Sequence, residues 1–316
     1  MRTTHLGSTG LVTSRLALGC MRLGGTWDAA APITAKERER ALATVRAALD
    51  VGFTCFDHAD IYCAGKSESL IADVLSELGV PRSRLTVVSK CGIRWDGGVT
   101  RYDFSYDWII ASVEGSLRRL RTDHLDLLLL HRPDPLVEPA EVARAIDRLV
   151  RDGKILTLGV SNHTAGQMQV LQRALPVAIA VNQIELSLVR HEAISAGILA
   201  NQGRPGILGV DGLIDHCRLH GITLQAWSPL AGGALGDTDR TAPALRAALV
   251  EAGKRHGVSA EAIALAWLLR HPAGIQPVIG TTDAARVRAL AEADRIDLSH
   301  AEWYALLAVA RGEKAP

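Results

Sequence analysis

Eight apolar segments recur along the 316-residue chain, with helical periodicity between them, and this alternation restricts the fold more than any other feature. They are LALGC (16–20), TCFDHAD (54–60), LTVVSKC (85–91), LDLLLLH (125–131), LTLGVSN (156–162), AIAVNQIEL (178–186), ITLQAWSPL (222–230) and QPVIGTT (276–282). Several are apolar at nearly every position, as strands buried on both faces must be. Between them lie single apolar stripes at helical spacing: Leu42, Val45 and Leu49; Ile110, Val113, Leu117 and Leu120; Val142, Ile146, Leu149 and Val150. Strands that alternate with helices build a parallel sheet. Eight of them suit an α/β fold of the (β/α)8 (TIM) barrel type better than an open doubly wound sheet of about six strands with a glycine fingerprint after the first. LALGCMRLGG contains no G-x-G-x-x-G.

Residues 1–14, with turn signals at Gly7 and Thr9-Gly10, are expected to form a β-hairpin that plugs the bottom of the barrel. The stretches Arg190–Gly209 and Gly232–Pro243 exceed ordinary connection lengths, and in a barrel such insertions extend the loops of the C-terminal face. No linker, repeat or low-complexity segment divides the chain, so residues 1–316 read as one barrel domain with added loops. A hydrophobic fraction of 48% with 22% charged residues is that of a soluble globular protein. Thirty-five Lys and Arg against 34 Asp and Glu give a net charge of +1, which offers nothing to nucleic acid or an anionic membrane. No apolar run reaches membrane-spanning length, and the N-terminus lacks a secretory pattern. Five scattered cysteines form no C-x-x-C pair, and the odd count argues against a disulfide framework; a reducing cytoplasm is the expected location.

Four polar residues stand at or just beyond the C-terminal ends of three successive strand segments: Asp57 and Tyr62, Lys90, and His131. Barrel active sites occupy that face. A phenol with an ordinary pKa near ~10 is a poor acid at neutral pH unless a cation stabilises its phenolate, and Lys90 is expected to lower the Tyr62 pKa in this way. Asp57 would keep the ammonium charged and in place, and the His131 imidazole would hydrogen-bond the oxygen that receives the proton. A rival reading gathers Asp57, His58, Asp60, Lys90, His131 and His163 around a metal, as in a barrel hydrolase. It fits poorly: no H-x-H follows an early strand, and the last strand ends in Gly-Thr-Thr rather than an acidic ligand. No metal is expected.

The segments FDHADIY (56–62), VSKC (88–91), HRPD (131–134), GKILTLGVSN (153–162), NQIE (182–185), AWSPL (226–230) and VIGTT (278–282) with Arg286 together resemble the aldo-keto reductases, in particular their bacterial oxidoreductase branch, over roughly residues 1–312. That resemblance implies reversible, NAD(P)H-dependent reduction of an aldehyde or ketone to an alcohol, with hydride from nicotinamide C4 and the proton from Tyr62. Lys90 and Asp57 would lower the pKa of the phenol, and His131 would orient and polarise the carbonyl of a small substrate. It implies NADP as cofactor, with NAD possible. Ser161, Asn162 and Gln183 match positions that bond the nicotinamide carboxamide, and Trp227 the ring on which the nicotinamide stacks. Ser228, Pro229, Leu230 and Gly232 would follow the pyrophosphate. Gly280, Thr281 and Thr282 suit the adenosine phosphate, and Arg286 the 2′-phosphate. Gly19, Met21, Arg22 and Asp57 complete the implied cofactor contacts. Ala289 and Leu290 replace a Glu-Asn pair of many relatives, which weakens the adenine end. Trp27 and Trp95, in loops after the first and third strands with Arg94 and Arg132 nearby, are expected to line the substrate pocket. Some members of the family are cofactor-binding regulatory subunits, so a binding or redox-sensing module with little turnover is the second functional alternative.

Overall fold

Each of the eight apolar segments forms a strand of one closed parallel barrel. The computed structural model describes residues 1–96, 98–198, 209–237 and 240–314. In chain order the strands are β1 (Thr3–His5), β2 (Val12–Ser14), β3 (Ala17–Gly19), β4 (Cys55–Asp57), β5 (Thr86–Cys91), β6 (Ile93–Asp96), β7 (Val99–Tyr102), β8 (Leu127–Leu130), β9 (Leu158–Ser161), β10 (Ile179–Glu185), β11 (Thr223–Trp227) and β12 (Gln276–Ile279). The helices are α1 (Ala35–Asp50), α2 (Lys66–Glu77), α3 (Tyr106–Leu120), α4 (Pro139–Arg151), α5 (Ala165–Gln172), α6 (Glu192–Ala196), α7 (Leu213–Leu219), α8 (Pro243–His256), α9 (Ala260–Leu269), α10 (Ala284–Ala291) and α11 (His300–Arg311). The barrel runs β3-β4-β5-β8-β9-β10-β11-β12 and closes where β12 pairs with β3 through Val278 opposite Ala17.

Strand alternation sorts the side chains into two cores. In β8, Leu127 and Leu129 join Ala17, Cys55, Val88, Val181 and Val278 inside the barrel, while Leu128 and Leu130 pack outward against the helix layer. This is why LLLL is apolar at all four positions. The amphipathic helices supply the outer layer. In α4, for example, Pro139 opens the first turn, Val142, Ala145, Ile146 and Leu149 are buried, and Gly153 follows the helix with φ 68°.

The N-terminal hairpin forms as expected, with Thr4 opposite Thr13. Its turn carries Leu6, fully buried, into the inner core. Gly7 has φ +57°, donates to Thr223 Oγ1 at 2.8 Å, and lies so close to β10 that a Cβ there would meet the Ala180 carbonyl oxygen at 2.7 Å. Of the two long stretches, residues 199–208 and 238–239 lie outside the described residues; what is described of them includes α6 and the turn at 231–236. The antiparallel pair β6–β7, which follows β5, breaks the alternating pattern. Among the described residues no helix is long and apolar enough to cross a membrane.

Candidate active site

Inward-facing positions near the strand ends change from apolar to polar, and they converge on one ammonium. Asp57 ends β4 and Lys90 stands one residue before the end of β5, both pointing into the barrel and both almost fully buried. Cys91 packs in the outer core, as its parity relative to Lys90 requires. Lys90 Nζ donates to Asp57 Oδ2 at 2.7 Å, to the His58 carbonyl oxygen at 2.8 Å and to Tyr62 Oη at 3.1 Å. All three ammonium hydrogens are therefore engaged.

Tyr62 reaches this ammonium because the chain doubles back after β4. Cys63 and Ala64 have φ 50° and 57°, and the Cys63 thiol donates to the Met21 carbonyl at 3.2 Å. Asn162, Ser228 and Ala231 are also left-handed, so five of the six described non-glycine residues with positive φ follow barrel strands at this mouth. Backbone strain of this kind persists where surrounding contacts impose it, and it concentrates at functional sites. His131 follows β8 directly, and its ring stands edge-on to Tyr62 at 5.9 Å.

Burial decides the protonation states. Desolvation raises the Tyr62 pKa above its ordinary value; Lys90 lowers it as expected of a neighbouring cation, but burial outweighs that effect and Asp57 adds to the rise rather than helping to lower it. The phenol is protonated at neutral pH. Burial works against the Lys90 ammonium, but Asp57 and Tyr62 together hold its pKa above the usual lysine value. His131 is pushed well below the ordinary imidazole value, first by burial and then by Lys90 and Arg132, and is neutral.

Asp57 is locked from its other side. Gln183 Nε2 donates to Asp57 Oδ1 at 2.8 Å and to Gln225 Oε1 at 2.9 Å; Gln225 Nε2 donates to Gln276 Oε1 at 2.7 Å, and Gln276 Nε2 to the Ser14 carbonyl at 2.6 Å. With both N–H groups of Gln183 committed, its Oε1 is the acceptor left for a ligand. Gln225 and Gln276 were not singled out in the sequence. Their inward parity on β11 and β12, shared with Gln183 on β10, was the signal available.

Ser161 Oγ donates to the Gln183 carbonyl at 2.8 Å and accepts from Asn162 Nδ2 at 2.8 Å. Trp227 Nε1 donates to Asn162 Oδ1 at 2.9 Å, and the Arg132 guanidinium lies 5.5 Å from the Trp227 ring centre. Pro229 and Leu230 are buried, and Ser228 is partly exposed. Gly232 and Gly280 have open space where a side chain would stand, with no atom within 4 Å of a Cβ at either. Such gaps suit the close approach of a dinucleotide backbone. Gly19 is packed against β12, its Cβ position 3.1 Å from Val278 Cγ1, while Met21 and Arg22 are exposed. Thr281 and Thr282 are partly exposed just before α10. Arg286 does not stand free: its guanidinium is ion-paired with Glu261. Leu290 faces the core at 1% exposure, which takes it away from any ligand, whereas Ala289 is exposed.

Trp27 and Trp95 line one cleft of about 660 Å³ together with Asp60, Ile61, Ile93 and Trp108. Trp27 stands edge-on to Tyr62 with ring centres 6.4 Å apart. Arg94 lies over Trp108 at 4.1 Å and pairs with Asp103 at 2.9 Å. The histidines of the metal reading disperse. His58 lines a small outer cavity with Phe56 and Ile71, and His163 stacks on Phe104.

The sequence profile described as the aldo/keto reductase family matches residues 15–311. The chain is 37% identical over 313 residues to 6-dehydroglucose reductase of Agrobacterium fabrum, covering 96% of each. It is 37% identical over 272 residues to the oxidoreductase YdhF of Escherichia coli, covering 85% of this chain and 86% of that one. A crystal structure of the thermostable aldo-keto reductase Tm1743 with the inhibitor epalrestat superposes with a TM-score of 0.79 at 27% identity, covering 98% of this chain and 100% of the other. Together with the closed eight-stranded barrel, these matches show that the chain belongs to the aldo/keto reductase family, whose reaction is NAD(P)H-dependent reduction of carbonyl groups to alcohols.

Proposed function

We propose that Tyr62 is the proton donor of this carbonyl reduction, with Lys90, Asp57 and His131 as its supporting groups. The observation that carries the reading is the single buried ammonium of Lys90 bonded at once to Asp57 and Tyr62. A phenol held protonated by burial is ready to donate, and the ammonium beside it stabilises the phenolate that donation leaves. The neutral His131 imidazole orients the substrate oxygen on the same side. A nicotinamide bound at this mouth supplies the hydride. Ser161, Asn162 and Gln183 would hold its carboxamide, Trp227 its ring, the 228–232 segment its pyrophosphate, and Thr281, Thr282 and Arg286 its adenosine end. NADP is a proposed cofactor, with Arg286 the residue its 2′-phosphate would meet, and NAD is accepted as well. The tryptophan cleft would receive the organic part of a small carbonyl compound.

Steady-state reduction of an aldehyde panel that includes 6-dehydroglucose tests this. Tyr62→Phe should lose at least about 100-fold in kcat, the usual scale of a general acid, while titrated NADPH affinity stays unchanged. Wild-type turnover retained by the Phe variant would remove the phenol from the mechanism.

A further inference from the structure

At the far end of the proposed dinucleotide site, three elements meet around one guanidinium. Arg286, in the first turn of α10, is ion-paired through Nη2 with Glu261, in the first turn of α9. The turn formed by residues 231–236 lies against both: a Cβ at Gly236 would collide with the Glu261 carboxylate and meet Arg286 Nη2 at 3.4 Å. Asp283 caps α10, its Oδ1 accepting from the Arg286 backbone N–H at 3.0 Å, and so fixes the backbone from which Arg286 reaches Glu261. The other arginine of this helix, Arg288, is paired with Asp50 at 2.8 Å. The side chain of Arg286 is 38% exposed and that of Glu261 19%, so the pair borders solvent where a ligand can reach it.

We infer that Glu261 sets the cofactor preference of this enzyme by occupying the guanidinium that would otherwise grip a 2′-phosphate. Strong phosphate recognition by arginine uses two parallel N–H donors and an uncompensated positive charge. Here one donor nitrogen is taken, and the charge of the guanidinium is balanced by the Glu261 carboxylate. A 2′-phosphate entering this corner meets like charge, whereas an unmodified ribose hydroxyl does not. The chain accordingly accepts NAD(H) and NADP(H) with similar affinity. This rests on the reading that the adenosine end lies between the 231–236 turn and the start of α10.

Binding of NADP+ and NAD+ is measured separately by calorimetry on the wild-type protein, on Glu261→Gln, and on Glu261→Gln/Arg286→Met, with melting temperatures taken alongside. Wild-type Kd values for the two cofactors should lie within about tenfold of each other. Glu261→Gln should tighten NADP+ by about tenfold or more and leave NAD+ within about twofold, and the added Arg286→Met should cancel that gain. A merely structural role for Glu261 at the helix start would shift both cofactors and the melting temperature together, and that result overturns the inference. An unchanged NADP+/NAD+ ratio in a well-folded Glu261→Gln protein also overturns it, while leaving the dinucleotide site in place. If neither cofactor binds the wild-type protein, the placement of the site fails and this inference fails with it.

Discussion

At the scale of single residues, Lys90 is the one on which charge and stability both depend. Its ammonium and the Asp57 carboxylate are 1% and 3% exposed, so neither can fall back on water when the other is removed. Lys90→Met should therefore destabilise the fold by roughly 3–5 kcal/mol, the scale for breaking a buried pair, as well as abolish reduction. Chemical denaturation beside activity checks this; a fully stable but inactive Lys90→Met would mean that Asp57 finds another partner. The gathering of Asp57, Tyr62, Lys90 and His131 at one barrel mouth was legible in the sequence because each sits at or near a strand end, where the apolar pattern stops. What could not be read there was the sign of the Tyr62 shift. A nearby cation lowers a phenol's pKa and burial raises it, and the winner depends on how completely the barrel mouth excludes water. Glu261 was equally hidden: it lies 25 residues from Arg286, at an unremarkable helix start.

At the scale of elements, parallel register turns isolated glutamines into a row. Ser161 faces Gln183 across β9 and β10, Gln183 faces Gln225 across β10 and β11, and Gln225 faces Gln276 across β11 and β12. Their amides can donate in only one consistent direction, from Gln183 toward Ser14, and this fixes which face of the Gln183 amide meets Asp57. Gln225→Leu removes one acceptor and one donor from a fully buried chain. It should cost about 2 kcal/mol or more of stability and weaken nicotinamide binding more than it changes the pH dependence of turnover. Equilibrium unfolding and cofactor titration separate the two effects, and intact cofactor affinity would show that the row is a packing feature alone. The eight barrel strands were readable because burial on both faces makes them continuously apolar. The β6–β7 pair was not, since Val99, Thr100, Arg101 and Tyr102 are all exposed and carry no such pattern.

For the whole molecule, buried imidazoles make the barrel sensitive to acid. Burial depresses the His58 pKa to about 3 and that of His163 to about 4, and His131 is also well below its usual value. Between those values and the unfolded-state pKa of about 6.5, the unfolded chain binds protons that the folded one does not, so stability is lost as pH falls through that window. Asp60 acts in the opposite sense. Its pKa is raised to about 7, first by burial and then by Glu68, so its contribution is lost as pH rises from about 4 toward 7. Three imidazoles outweigh one carboxyl, and melting temperature should drop between pH 7 and 5; His58→Leu should make the drop shallower. An unaltered slope in that variant would show that His58 takes up a proton in the native state. By itself the sequence determined the eight-stranded barrel, its N-terminal hairpin and which polar residues stand at the ends of its early strands, because periodicity and residue type are local properties that chain order carries directly. The tertiary structure alone decided protonation states, the glutamine row and the Glu261–Arg286 pair, because these depend on water exclusion and on distances between residues far apart in the chain.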